Sequence, residues 1–227
     1  MIGEPVALSI RRKIRRPAPS LRAAFEGRPS GFVTDAYNGR GCLDFAIKPL
    51  VPEMRFCGAA VTAFCAPSDI LAAMAILDYV RPGDVIVIGT TGSRGSATIG
   101  DIWAHVAKRK GVAAVVCDGL VRDVPGLLRT GLPIFARGVT PNSGFRNGPG
   151  EINTGVTCGG VFVGPGDIVV GDRDGVVAVP LAEARAVAKN LENVEKKEAE
   201  AERRLKRGEA FRFWDPAAFV GRVRFVD

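Results

Sequence analysis

PGDVIVIGTTGSRGSATIGDIWAHVAKRKGVAAVVC, residues 82–117, decides the fold. PGDVIVIG (82–89) is a turn followed by an unbroken apolar run, the pattern of a strand buried on both faces. A glycine-rich connection follows, and ATIGDIWAHVAKRKG (97–111) has the spacing of a helix that Gly111 closes. GVAAVVC (111–117) is a second buried strand. Strand, loop, helix and strand in that order form a βαβ unit, which predicts parallel strands in an α/β domain.

Outward from this unit the alternation continues. SDILAAMAILDYV (68–80) predicts a helix with Ser68 as its N-cap. GLPIFARG (131–138) predicts a short strand and GVTPNSGFRNGPGEINTG (138–155) a loop. GGVFVGPGDIVVGDRDGVVAVP (159–180) predicts several short strands, with a hairpin turn at Asp172 to Gly175. LAEARAVAKNLENVEKKEAEAERRLKRG (181–208) is a long helix by pattern, with Leu181, Ala184, Ala188, Leu191 and Leu205 on one side. So thin an apolar stripe calls for a partner surface, and a subunit contact is expected. The chain thus divides into a basic arm (1–29), an α/β domain (30–180) and a terminal helix and tail (181–227).

Composition excludes several classes. With 47% hydrophobic and 24% charged residues over 227 positions, the chain can bury a substantial core. No apolar stretch approaches the roughly 18–20 residues that span a bilayer, and no apolar signal core opens the sequence, so a cytoplasmic protein without membrane contact is expected. The five cysteines are scattered without any CxxC pair and read as small packing residues. Residues 1–28 hold seven Arg or Lys against Glu4 and Glu26, which is +5 of the net +7. The excess therefore belongs to the arm, a solvated segment or subunit clasp, and a nucleic-acid partner is not expected.

The loop GTTGSRGSATIGD (89–101) lacks the GK[ST] ending of a phosphate loop, and its GxxGxxG spacing is not the dinucleotide GxGxxG, although Asp118 imitates a ribose-binding acid. Its far end is more informative: free N–H groups near Gly100, Asp101, Ile102 and Trp103 at a helix start could hold a carboxylate. In a parallel sheet this loop and the segment after Cys117 emerge at the carboxyl ends of neighbouring strands, where α/β sheets build their sites. Asp101 would then face the Arg122–Asp123 pair, which is either a site or a surface ion pair.

Asp101, twenty intervening residues and then Arg122-Asp123 resemble the D-x20-R-D signature of the RraA-like family, and VTDAYNGRG, PGDVIVIG and KEAEAERRLKRGE extend the likeness over about residues 30–210. The resemblance implies a layered β/β/α domain of the swivelling type. It implies the activity of the class II 4-hydroxy-4-methyl-2-oxoglutarate/4-carboxy-4-hydroxy-2-oxoadipate aldolases, with oxaloacetate decarboxylation through the same pyruvate enolate. Asp123 would hold Mg²⁺ or Mn²⁺, Arg122 would grip the pyruvyl group and its enolate, and Asp101 would orient a metal-bound water. The backbone of Gly100, Asp101, Ile102 and Trp103 would take the substrate carboxylate. Glu198 of a neighbouring subunit in a trimer or hexamer, with Glu195 behind it, would complete the site. Gly126 stands where the aldolases often carry an acid. Asp35 is expected to cap a helix, His105 to be structural and partly buried, and Arg94 or Arg137 to meet a second substrate carboxylate. The resemblance also admits a non-catalytic regulator that binds a ribonuclease.

Overall fold

The computed structural model describes residues 6–209, 213–224 and 226. In chain order its elements are β1 (Leu8–Ile10), α1 (Pro19–Ala23), α2 (Ser30–Ala36), β2 (Lys48–Pro49), β3 (Phe56–Cys65) and α3 (Leu71–Ala75). Next come β4 (Asp84–Gly89), β5 (Ala97–Ile99), α4 (Asp101–Arg109), β6 (Ala114–Val121), α5 (Val124–Arg129) and β7 (Ile134–Val139). The chain ends with β8 (Gly150–Ile152), β9 (Val156–Cys158), β10 (Val161–Val163), the hairpin β11 (Ile168–Asp172) and β12 (Gly175–Val179), and α6 (Ala184–Lys206).

The alternation of side chains along β4 explains the layers. Ile86 and Ile88 point into a core shared with α3, α4 and α5, while Val85 and Val87 point into a second core closed by β9 to β12. β6 behaves alike, with Val115 and Cys117 on the helical side and Ala114 and Val116 on the other. Both faces are buried, which is why these strands read as unbroken apolar runs. The main sheet runs β1-β8-β3-β4-β6-β7-β2, with β3, β4, β6 and β7 mutually parallel. The β11–β12 hairpin joins antiparallel to β3, turning at Asp172 to Gly175 as its sequence predicts. A third core of Val33, Val177, Val179, Val187 and Leu191 seats α2 and α6 against that hairpin. The result is the expected layered α/β domain with a C-terminal helix.

Four local expectations are corrected. Ser68 is not an N-cap: it is left-handed at φ 61°, and the helix begins at Leu71, whose N–H donates to Asp69 Oδ1 at 2.8 Å. The other Asp69 oxygen accepts from the N–H groups of Asn147 and Gly148, so this carboxylate pins a distant loop as well as starting a helix. Residues 97–99 are not helical but form β5 beside β6, and the helix starts at Asp101. β6 itself runs on past Cys117 to Val121, and the loop 138–155 contains the short strand β8.

The basic arm is fixed to the domain rather than solvated throughout. β1 pairs with β8, Phe25 is fully buried, and the Arg16 guanidinium forks onto both oxygens of Asp84 at 2.8 Å each. Along α6, Ala184, Val187 and Leu191 are buried and Glu195 pairs with Arg28 at 2.5 Å. The expected stripe stops there, since Leu205 is 56% exposed. No described helix is long and apolar enough to cross a membrane.

Asp84 is 2% exposed, so its loss leaves Arg16 with an uncompensated charge at a mostly buried site. Asp84→Asn is expected to lower unfolding free energy by about 3 kcal/mol in urea titrations; a change below about 0.5 kcal/mol would show that the arm is not anchored there.

Candidate functional site

β5 brings the two halves of the D-x20-R-D pattern together. Its end is tied to the end of β6 by the Arg122 N–H, which donates to Ile99 O at 3.1 Å. Gly100 follows immediately as N-cap of α4, and Asp123 as N-cap of α5. The two caps touch: a Cβ on Gly100 would lie 2.5 Å from Asp123 Oδ2 and 3.3 Å from Arg122 Nε. On the other side, a Cβ on Gly126 would lie 2.2 Å from Asp101 Oδ2 and 2.5 Å from Asp101 Cβ. Each carboxylate therefore occupies the space that a side chain on the opposing segment would take. Gly126 has no side chain to contest this space with Asp101.

Asp123 is left-handed at φ 61°. That conformation costs roughly 1–2 kcal/mol for most L-residues and is best tolerated by Asn and Asp. It turns the chain sharply from β6 into α5 and sets the Asp123 carboxylate 3.3 Å from Arg122 Nε. Arg122 Nη1 also donates to Ser143 Oγ. With its guanidinium held on two sides, Arg122 presents a fixed donor edge.

The pair opens on a pocket of about 390 Å³. Met74 and Leu77 form one wall, Ile99 and the first turns of α4 another, and Ser143, Gly144 and Arg146 close the rim. Gly100, Asp101, Ile102 and Trp103 all line it, as do Arg122 and Asp123. The Asp101 carboxylate accepts from the Ile102 N–H at 2.7 Å, and Trp103 Nε1 donates to Ala73 O at 2.6 Å, tying α4 to α3. Among the described residues no three His, Cys, Asp or Glu side chains cluster as a metal set. Oxygen donors of the Asp123 kind nonetheless suit a hard divalent cation, which keeps most of its waters and needs only one or two carboxylates.

Other residues fall elsewhere. Glu198 is exposed on the outer part of α6 and does not line this pocket within its own chain, and Glu195 is engaged by Arg28. His105 is exposed rather than partly buried. Asp35 is exposed near the end of α2 and caps nothing at its start, where Asp172 accepts from the Ser30 N–H and hydroxyl. Arg137 is committed to Asp44 at 2.9 Å, and the Ala46 N–H and that guanidinium together hold the Asp44 carboxyl below its usual range. Arg94 is exposed outside the pocket lining. Asp118 is buried and accepts from Thr90 N and Oγ1 at 2.6 and 2.9 Å, so it holds the glycine-rich loop rather than a ribose. Burial pushes the thiols of Cys65 and Cys117 up to about 12, which makes them packing groups at neutral pH.

Ser143 and Arg146 are absent from the sequence expectations. A long connection without strong periodicity in a compact domain is the one available signal, since such loops are commonly functional.

Comparison with known proteins gives the family and the fold. The RraA-like family (Aldolase/RraA) matches residues 31–178, and the chain belongs to that family. A protein of Halalkalibacterium halodurans, provisionally named a 4-hydroxy-4-methyl-2-oxoglutarate aldolase, is 38% identical over 180 residues, 79% of this chain and 84% of the relative. Streptomyces coelicolor RraAS2, described as an unusual member of the RNase ES inhibitor RraA family, superposes with a TM-score of 0.76 at 30% identity, covering 83% of this chain and all of that one. An uncharacterized protein from Pseudomonas syringae pv. tomato gives 0.77 at 26% identity over 87% of this chain and 97% of its own.

The glycine–carboxylate packing is directly testable. Gly126→Ala must displace Asp101, and overpacking of this kind costs about 1–3 kcal/mol. A lower melting temperature is expected, measured by calorimetry, whereas unchanged stability would mean that Asp101 does not rest on Gly126.

Proposed function

We propose that this chain is a divalent-metal-dependent aldolase that cleaves a 4-hydroxy-2-oxo dicarboxylate or tricarboxylate, of the 4-hydroxy-4-methyl-2-oxoglutarate type, to pyruvate and a second oxo acid. The observation that carries this is the joined Arg122–Asp123 and Gly100–Trp103 constellation at the mouth of one pocket. The name of the 38% identical relative supports it. Asp123 would hold Mg²⁺ or Mn²⁺, and a cation bound there supplies Lewis-acid polarisation of the 2-oxo acid.

The chain's own residues do the remainder. The first turn of α4 binds the substrate carboxylate, because the N–H groups of a helix start have no partner inside the helix. The arriving carboxylate displaces the Asp101 oxygen from the Ile102 N–H and frees the Asp101 carboxylate to orient a water. The water oriented by Asp101 takes the proton of the 4-hydroxyl, which becomes a carbonyl as the C3–C4 bond breaks, and the electron pair of that bond passes into an enolate. Arg122 donates to the enolate oxygen, where charge develops. Protonation at C3 then gives pyruvate. Oxaloacetate yields the same enolate by losing carbon dioxide, so one site serves both reactions.

In this scheme Glu198 enters from a neighbouring copy in a trimer or hexamer, which gives the exposed outer part of α6 a surface to cover. The likeness to RraAS2 supports a second possibility, a protein-binding regulator of ribonuclease activity. A regulator, however, gains nothing from a strained Asp123 facing a pocket. A cytoplasmic location fits either role.

Three results test the aldolase. Pyruvate release from 4-hydroxy-4-methyl-2-oxoglutarate or oxaloacetate, followed with lactate dehydrogenase, should stop in EDTA and return with Mg²⁺ or Mn²⁺; undiminished activity in chelator rejects the mechanism. Arg122→Lys keeps a charge without the planar fork and should lower kcat/KM by on the order of 10², while normal kinetics would reduce Arg122 to a surface ion pair. Glu198→Gln and Asp123→Ala, each inactive alone, should regain part of the activity in co-expressed mixed oligomers. No recovery despite proven mixing removes Glu198 from a role across subunits.

A further inference from the structure

The basic residues of the arm play no part in the chemistry above, yet the fold brings three of them, Arg12, Lys13 and Arg16, to one recess. A pocket of about 220 Å³ is lined by Arg12, Lys13, Arg16, Tyr79, Arg81 and Asn153, with no acid in its lining. Arg81 precedes β4, whereas the Arg122 site lies beyond the carboxyl ends of the parallel strands, so the two pockets sit at opposite ends of the sheet. The segments that carry these cations are tied to the sheet. Arg11 N–H donates to Ile152 O at 3.0 Å, Asn153 Nδ2 donates to Arg11 O at 3.1 Å, and Arg16 is locked onto Asp84. The same Asp84 accepts from the Arg81 N–H at 2.6 Å, which sets the turn that carries the Arg81 side chain.

The charge balance points to a ligand. Asp84 is consumed by Arg16, and among the described residues Arg12, Lys13 and Arg81 have no ion pair. Three unneutralised cations around one recess repel one another, and a singly charged carboxylate would offset only part of that. A phosphate group carries close to two charges and several acceptor oxygens, which suits guanidinium and ammonium donors converging from different directions. The recess is the size of a phosphate with a few attached atoms rather than an extended track.

We infer that this pocket binds the phosphate group of a small molecule, at a site separate from the carbon–carbon bond-breaking centre. The probes are inorganic phosphate and glycerol 3-phosphate, which distinguish free phosphate from a phosphomonoester, titrated calorimetrically into the full chain at low ionic strength. Saturable binding of one probe per chain is expected. It should weaken at least about tenfold in Arg12→Gln/Lys13→Gln/Arg81→Gln, since the variant removes the lining's charged donors that no ion pair within the chain holds. The variant loses no ion pair within the chain, so its circular dichroism and its pyruvate release should match those of the parent. Absence of saturable binding to the parent overturns the inference, as does equal affinity in the variant. Tight binding of a single-stranded oligonucleotide that neither probe displaces would also overturn it, in favour of a nucleic-acid surface.

Discussion

The pairing of β5 with β6 holds the rest of the site in place. β5 is only three residues long, yet without it the glycine-rich loop would enter α4 with no fixed relation to the end of β6. The Arg122 N–H bonded to Ile99 O sets that relation to within one hydrogen bond. The close approach of Gly100 to Asp123 and of Gly126 to Asp101 then follows, because only glycine leaves room for a carboxylate at contact distance. Charge placement here is a consequence of backbone packing. The carboxylates are not free to drift, which a site that must position a cation and a water requires.

The scaffold behind this contact is rigid for the same reason that its strands are uniformly apolar. β4 and β6 are buried on both faces, so two cores clamp them, and a close-packed interior transmits little slack. The glycine-rich loop is in turn fastened at its start by Asp118, whose Oδ1 takes both donors of Thr90. A loop rich in glycine would otherwise carry a large conformational entropy.

Much of this was legible in the chain. The βαβ unit follows from the apolar runs of 82–89 and 111–117, and Asp101, Arg122 and Asp123 follow from the end to which parallel strands point. What escaped has physical causes. Ser68 has the chemistry of an N-cap, but Asp69, one residue on, serves a distant loop and the helix together, and no local rule sees that loop. Ala97–Ile99 satisfies a helical period equally well, and only its neighbour β6 makes it a strand. Ser143 reaches Arg122 from a stretch whose pattern gives no hint of its path. Local chemistry is readable from residues; a contact made by a second segment is not.

The tie between Trp103 and Ala73 separates two functions that many sites mix. Trp103 holds α3 through its indole, and α3 brings Met74 to the pocket wall, with Leu77 just beyond it, while Arg122 and Asp123 come from β6 and the start of α5. The Met74 wall and the Arg122–Asp123 pair thus belong to different segments that pack on one shared core. Substitutions on the wall change what fits without moving the groups that react. A lineage, or an engineer, can diversify the accepted molecules of this scaffold by drift in one short helix.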